Sequence, residues 1–468
     1  MNQQNKNIVL AIALVAIVGA IWYIEVHKPA AVAGQSVAIT AGDQGLSSDS
    51  IDLSGTTSAS TSSISPTSTS ASRNNQNASK VSAFEASHAA TLQQKAAKYS
   101  PAVEIVPGGD PSALGTTPFG ASASSGFINA APFTLKSLVG QKVVLIDFWT
   151  YSCINCLRTL PYLEAWYAKY KNYGLEIVGI HTPEFAFEKS YDNVAAAVQR
   201  LGVTYPVVQD DNMATWNAYN NQYWPNEFLV DIDGYIVHNQ IGEGDYDKSE
   251  EAIQSALKER AQVLGAENGE SAAQIAIDVA AIPTGLVNPS NVIQMNPGAV
   301  GSSETYFGSN RNEYLANGVQ GQAGEQTLAV PAGGLAGNSF QPSMLQPSAL
   351  YLGGIWNFQP QYAESVVSSV SDGATGTNSE KSEKIIYEYT AKNVYFVASS
   401  QNGIKVTVLL DGKPISASMA GADVAPDGTM TIQANRLYSV VSGTDYGTHT
   451  LELDIQGAGL DAYTFTFG

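Results

Sequence analysis

Apolar and polar positions divide the chain into stretches with different periods. Ile8 to Ile24 is uncharged and almost wholly apolar, roughly 17 residues and so about 26 Å as a helix, at the short end of what crosses a bilayer core. It predicts one N-terminal transmembrane helix. Lys6 and the free amine precede it, Trp22 and Tyr23 sit at its far end, and Glu25 and Lys28 roughly cancel beyond, which places the N-terminus inside. A cleaved signal peptide is the competing reading, with Ala31-Val32-Ala33 as a cleavage site. The run is longer than the about 7–15 apolar residues of such peptides, which favours an uncleaved anchor over residues 1–33. Either way, everything after residue 34 is expected to be exported.

From Gly34 to about Lys80, Ser, Thr, Ala and Asn dominate, with too little apolar surface to offset the entropy of ordering. Residues 34–100 read as a tether ending in a short amphipathic helix, because Val81, Phe84, His88, Leu92 and Tyr99 share one helical face. His88 there is a face residue rather than a ligand. The stretch from Pro101 to Pro118 is rich in Pro and Gly and breaks the pattern.

From Phe127 the patterning becomes dense. Val143–Trp149 and Leu175–His181 read as buried strands, and Leu157–Tyr170 and Val194–Leu201 as helices. Strand, helix, strand, helix implies parallel pairing through right-handed crossovers. A helix around Met213 to Tyr219 follows, then Trp224-Pro225, then a strand over Glu227–Asp231. Asp233-Gly234 reads as a two-residue hairpin turn into Tyr235–His238, and Asp247 or Ser249 can cap a last helix to about Leu264. This α/β domain occupies residues 120–265.

A linker over residues 266–300, Ala-rich to Ile282 and then rich in Gly, Pro and Asn, leads to a different grammar. Lys384–Tyr389, Val394–Ser399, Ile404–Leu410, Met430–Ala434, Leu437–Ser442, His449–Ile455 and Ala462–Phe467 are short strand-like runs separated by turns. Residues 301–468 therefore read as an all-β sandwich.

A net charge of −19 disfavours nucleic acid and an anionic membrane surface as partners. The chemistry is concentrated in two cysteines among 468 residues, Cys153 and Cys156. Cys153 falls where a buried strand becomes a helix, so unpaired N–H groups and the helix dipole favour thiolate over thiol. A nucleophilic sulfur with a partner one turn on is redox chemistry. Three other readings compete. A structural disulfide closing so short a loop removes little unfolded-chain entropy. A zinc site needs about four ligands, usually a second CxxC or a close His pair, and the five histidines are scattered. A peroxidase pattern at Thr150 has Ile146 where proline belongs. No metal and no cofactor beyond the Cys153/Cys156 pair are expected.

Asp147-Phe148-Trp149, then Cys153-Ile154-Asn155-Cys156, then Pro161 resembles the thioredoxin active-site segment, with Pro225 in the place of that family's cis-proline. Phe148 to Cys156, His181-Thr182-Pro183-Glu184 and Gly242-Glu243-Gly244-Asp245-Tyr246 resemble DipZ proteins, relatives of the TlpA and ResA membrane-tethered thioredoxins. Glu304-Thr305-Tyr306-Phe307-Gly308 and Ala462 to Gly468 resemble the DipZ C-terminal module, which implies a carbohydrate-binding-like jelly roll. The resemblance implies a thioredoxin fold and an exported, membrane-anchored thiol–disulfide oxidoreductase on the periplasmic or cell-surface side. Its partners would be cysteine-containing exported clients and, because this sequence shows a single anchor, a separate membrane thiol electron donor for a reductase. Ile154-Asn155 replaces the Gly-Pro of thioredoxin, so the direction of electron flow stays open.

The resemblance also suggests roles. Cys153 attacks and Cys156 resolves; Asp147 relays the Cys156 proton, unless it is only a strand residue bonded to backbone; Trp149 shields the site; and Pro225 leaves neighbouring backbone free to pair a client segment. His181 and Glu184 end a strand on the side where α/β sheets place their sites and are expected around the sulfurs. The last domain is expected to be autonomous and to bind a glycan or other surface partner. Trp356 and Tyr362 are either sugar-stacking residues or buried aromatics. An exported binding or adhesion protein with an inert thioredoxin-like scaffold is the alternative function.

Overall fold

The computed structural model describes residues 69–109, 123–330, 345–366 and 383–468, with side chains from Phe84 onward. The expected membrane helix and most of the tether lie outside the described residues. Among the described residues no helix is long and apolar enough to cross a membrane.

In chain order the first region contains α1 (Thr69–Lys98), β1 (Phe127–Ile128), α2 (Leu135–Leu138), β2 (Val143–Trp149), α3 (Ile154–Tyr170), β3 (Leu175–His181) and α4 (Tyr191–Leu201). It continues through β4 (Val207–Gln209), α5 (Ala214–Ala218), β5 (Asn226–Val230), β6 (Ile236–Ile241), α6 (Tyr246–Glu267) and α7 (Ala272–Ala281). Its six strands run in the order β1-β4-β3-β2-β5-β6. β2, β3 and β4 are mutually parallel, while β5 and β6 close the other side antiparallel. That mixed sheet with helices on both faces is the thioredoxin fold.

β2 is central because all seven of its side chains are buried, so it needs cover on both faces. Val143, Leu145 and Trp149 pack with Leu163 and Trp166 of α3, Val194 of α4 and Leu257 of α6. Val144, Ile146 and Phe148 pack on the opposite face with Leu135 of α2 and Trp216 of α5. Each fully buried large aliphatic side chain contributes about 1.5–3 kcal/mol, so this strand fixes where the chain emerges at Cys153.

Three local expectations shift. The Asp233-Gly234 turn is longer than two residues: Gly234 N–H donates to Asp231 O, with Gly234 at φ 86°. α6 begins earlier than Asp247, with Asp245 as its N-terminal flank at φ 48°. The helix expected from Val81 starts at Thr69 and runs 30 residues. It docks through Lys95, whose ammonium lies 2.6 Å from Asp231, 2.6 Å from Asp233 and 2.7 Å from Glu259. Burial alone would lower the Lys95 pKa; the three carboxylates outweigh it and raise it. His88, expected to be a bland face residue, lies 3.1 Å from Asp233.

The second region is all-β: β7 (Thr305–Tyr306), β8 (Gly324–Leu328), β9 (Leu350–Phe358), β10 (Ala363–Val366), β11 (Glu383–Ser399), β12 (Ile404–Leu410), β13 (Lys413–Pro414), β14 (Thr429–Ile432), β15 (Arg436–Gln456) and β16 (Asp461–Phe467). Two pairs of runs that read as four strands are two long ones, β11 and β15. Their mutual register slips at Ala391/Asn393, a bulge that lets one continuous strand bend. The strands form one connected sheet instead of two separate ones. β11 pairs with β9 through its first half and with β16 through its second, and β10 joins β16 to β9. The sheet thereby wraps a core containing Trp356, Phe396 and Phe465. Trp356 is wholly buried, its indole N–H donating to Gly353 O, which removes it as a sugar platform.

This region packs against the thioredoxin-like one. Phe185 of the thioredoxin-like region shares a buried apolar cluster with Val397 and Tyr463 of the β region, and Tyr362 packs at its edge. Gln361 also accepts a hydrogen bond from Ala186 N.

Lys95→Ala leaves three neighbouring carboxylates without their cation. It should lower unfolding free energy at neutral pH by about 3 kcal/mol, because breaking a buried ion pair strands the partner charges. Urea denaturation measures this; an unchanged midpoint would mean that α1 is held by other contacts.

Candidate active site

β2 delivers the chain to a short loop, Thr150 to Ser152, before α3. Cys153 caps α3 with an extended backbone (φ −85°, ψ 114°), and its side chain makes no capping hydrogen bond. The sulfur is therefore left for other partners, and its thiol points at Trp224 O, 3.9 Å away. Trp224 precedes Pro225 through a cis peptide bond. Both thiols are free: Cys153 is part-exposed and Cys156, one turn inside α3, is buried. Burial first, then contact with Cys153 and the nearby Asp147 carboxyl, raise the Cys156 thiol pKa well above its ordinary value.

Asp147 is 1% exposed. Burial pushes its carboxyl up to about 8. A second acid, absent from the sequence reading, joins it: Glu227 of β5 lies directly opposite Asp147 in the sheet register. Burial, then the Asp147 charge, pushes Glu227 up to about 8 as well. Asp147 Oδ1 and Glu227 Oε2 have no hydrogen-bond partner. A signal for Glu227 existed, since alternation along β5 puts it on the same face as the core residue Leu229.

The other expected residues disperse. Trp149 lies wholly buried in the same apolar cluster as Cys156, with its ring edge-on to His181. Cys153 packs at the edge of that cluster. His181 is fully buried, stacks on Tyr151 and sits 3.4 Å from Thr150 Oγ1. Desolvation lowers its pKa to about 3, so it stays neutral and braces the loop. Glu184 is directed to the β region, where Tyr306 Oη and Arg311 Nη1 each donate to it at 2.9 Å. Two unforeseen residues hold the loop and the helix. Glu188 accepts from Ser152 Oγ at 2.5 Å and from the backbone N–H groups of Glu184 and Phe185. Arg158, 2% exposed, clamps Glu243 with two bonds of 2.7 and 2.8 Å and donates to Asn155 Oδ1.

A cleft of about 630 Å³ opens beside the first turn of α3. Ile154 and Leu157 form one wall, and Asn393, Tyr395, Leu437 and Ser439 of the β region form the other.

The comparisons with known proteins agree with this geometry. A family model described as redoxin matches residues 128–257, and one described as a thioredoxin-like C-terminal domain matches residues 302–468. Protein DipZ of Mycobacterium bovis is 36% identical over 337 residues, covering 72% of this chain and 40% of that protein. The thiol–disulfide oxidoreductase ResA of Bacillus thuringiensis is 32% identical over 124 residues, covering 26% of this chain and 66% of ResA. The chain is a DipZ- and ResA-like member of the thioredoxin family. It spans 40% of the length of its DipZ relatives. The thiol–disulfide oxidoreductase YkuV of Bacillus subtilis is 27% identical over 126 residues, covering 27% of this chain and 84% of YkuV. The thioredoxin-like region is of the thiol–disulfide oxidoreductase class. Motifs that resemble DipZ have local structural work in this thioredoxin-family chain: Glu243 holds Arg158, and Tyr246 stacks on Tyr162 with ring centroids 3.6 Å apart.

The buried acids make stability depend on pH. Unfolded carboxyls release their protons near pH 4, whereas Asp147 and Glu227 hold theirs to about 8. The unfolded state therefore binds fewer protons across that window, and stability falls as pH rises from about 4 to about 8. Asp147→Asn should raise unfolding free energy by about 2 kcal/mol or more at pH 8.5 and change it little near pH 4. Chemical denaturation at the two pH values checks this; an equal effect at both would show that Asp147 ionises normally in the fold.

Proposed function

We propose that the chain is an exported, membrane-anchored thiol–disulfide oxidoreductase that exchanges disulfides with cysteine-containing extracytoplasmic proteins through Cys153 and Cys156. The observation that carries this reading is the asymmetry of the pair: Cys153 is part-exposed at the cap of α3, and Cys156 is buried one turn in, against Asp147.

In the reducing direction, the Cys153 thiolate attacks a client disulfide. A bond forms between Cys153 and one client sulfur, and the other client sulfur leaves with the bonding electron pair and takes a proton from solvent. Cys156 then gives its proton to Asp147, in the fraction of molecules whose carboxyl, raised to about 8, is ionised, and attacks Cys153, expelling the second client sulfur as thiolate. The client gains two electrons and the Cys153/Cys156 pair becomes a disulfide; the oxidising direction is the reverse. Pro225 offers no N–H, so backbone beside it is free to pair with an extended client segment. The cleft lined by Ile154, Leu157 and Tyr395 opens beside the first turn of α3. A separate membrane thiol carrier would reload the pair for a reductase, and Ile8 to Ile24 would hold the chain at the membrane. The β region would add a surface or glycan contact.

Cys156→Ser removes the resolving attack and should trap a mixed disulfide between Cys153 and a client or small test disulfide. Cys153→Ser should trap little, since the remaining thiol is buried. Non-reducing mass spectrometry reads both; faster alkylation of Cys156 than of Cys153 in the reduced protein would reverse the roles. For the anchor, protease added to intact cells, with any outer membrane made permeable, should release a soluble fragment beginning between residues 34 and 125. Full protection would contradict export.

A further inference from the structure

The acid pair beneath Cys156 is closed off from water. Asp147 and Glu227 are both buried, so a proton taken from Cys156 is stranded in the core unless a path leads out. β5 and β6 supply one. Their register sets Glu227 opposite Gln240 and Leu229 opposite His238, so Glu227 and His238 share the sheet face that carries Asp147. The first turn of α6 crosses this face and brings Ser249, 1% exposed, over both residues. Ser249 Oγ lies 3.1 Å from His238 Nε2, and the hydroxyl is near enough to Glu227 to oppose the rise of its pKa. His238 is half-buried, at the edge of solvent.

We propose that Glu227, Ser249 and His238 form a proton relay that carries the Cys156 proton from Asp147 to solvent and back. The relay rests on the dithiol reading above. In resolution the Cys156 S–H bond breaks, the sulfur's electron pair forms the bond to Cys153, and the client thiolate departs with the pair of the old S–S bond. Asp147 takes up this proton as its own passes to Glu227, so the two raised carboxyls hand protons on and neither becomes doubly protonated. Glu227 protonates the Ser249 oxygen as that hydroxyl gives its own proton to His238 Nε2, and the imidazole releases its Nδ1 proton to water. The departing client thiolate takes up a proton from solvent, so no charge accumulates.

The surroundings suit the task. Cys156 of α3, Tyr205 ahead of β4 and Tyr246 of α6 face the acid pair, and burial raises the pKa of each, so they stay protonated near neutral pH and Cys156 gives up its proton only as it attacks. Desolvation lowers the His238 pKa, against the opposing pull of Asp245, which keeps the imidazole neutral and able to accept. A serine at the second position of α6's buried face is not needed for packing alone, because Ile253 and Leu257 already supply the apolar contact with the sheet.

Reaction of the reduced full-length protein with 5,5′-dithiobis(2-nitrobenzoate) separates the steps. A first thionitrobenzoate is released when Cys153 attacks, and a second when Cys156 resolves the mixed disulfide. Ser249→Ala should leave the first release within about twofold and slow the second about tenfold or more, and Ser249→Thr, which keeps the hydroxyl, should restore it. His238→Gln should slow the second release similarly, with recovery as imidazole is added to the buffer. A wild-type second release in Ser249→Ala, or equal slowing in Ser249→Ala and Ser249→Thr, overturns the relay and leaves the dithiol reading intact. Should Ser249→Ala lose both releases through misfolding, His238→Gln decides: unslowed resolution, or slowing that imidazole does not relieve, overturns the relay. Release of a single equivalent by the wild-type protein overturns the dithiol reading itself.

Discussion

Charge is expensive in an apolar core: ionising a carboxyl or thiol there costs several kcal/mol unless something compensates. The fold accepts that cost at one place. β2 is buried on both faces and every other side chain in it is apolar or aromatic, yet it carries Asp147 one residue before Phe148 and two before Trp149. The neighbouring strand sets Glu227 against it, and α3 lowers Cys156 onto the same layer. A single proton entering or leaving these three groups changes the charge of a deeply buried region. The chemistry of the buried sulfur is therefore tied to where that proton goes.

The rest of the architecture keeps this arrangement dry and in register. Glu188 pins the Thr150 to Ser152 loop from below, and neutral His181 braces it through Tyr151 and Thr150. Arg158 ties the first turns of α3 to the loop between β6 and α6, which leads into the helical turn that carries Ser249. The β region is part of the same design. Tyr306 and Arg311 hold Glu184, and Tyr463 packs against Phe185 and Phe187, so the strand end beyond the sulfurs is fastened to it. Its Tyr395 and Leu437 complete a cleft that the thioredoxin-like region supplies only on one side.

Much of this was legible in the residues. Val143–Trp149 and Leu175–His181 have the bounds that their apolar runs predict, and Cys153 falls at the strand-to-helix junction. Periodicity reports burial well when a segment is short and covered on both faces. It failed where strands are long: β11 and β15 each bend through a bulge, and the polar interruption at Lys392 and the glycines at Gly443 and Gly447 read as turns. It also failed for polar residues whose partners are distant. Glu227 lies 80 positions from Asp147 and Glu243 lies 85 from Arg158, and only the sheet register and the α6 loop bring them together. Trp149 was expected at the site from the thioredoxin resemblance and Glu184 from its strand end; the fold buries the first in the core cluster that holds Cys156 and gives the second partners far along the sequence.

The central claim is that Cys153 and Cys156 are one reversible two-electron couple. Equilibrating the purified protein across dithiothreitol and glutathione buffers, quenching with an alkylating reagent and weighing the intact chain tests it most directly. Two alkylated thiols should appear and disappear together, reversibly, with a midpoint between about −120 and −320 mV, the span of thioredoxin-like couples and the cellular pools they meet. A pair that stays fixed across that range, or one thiol changing state without the other, would contradict it.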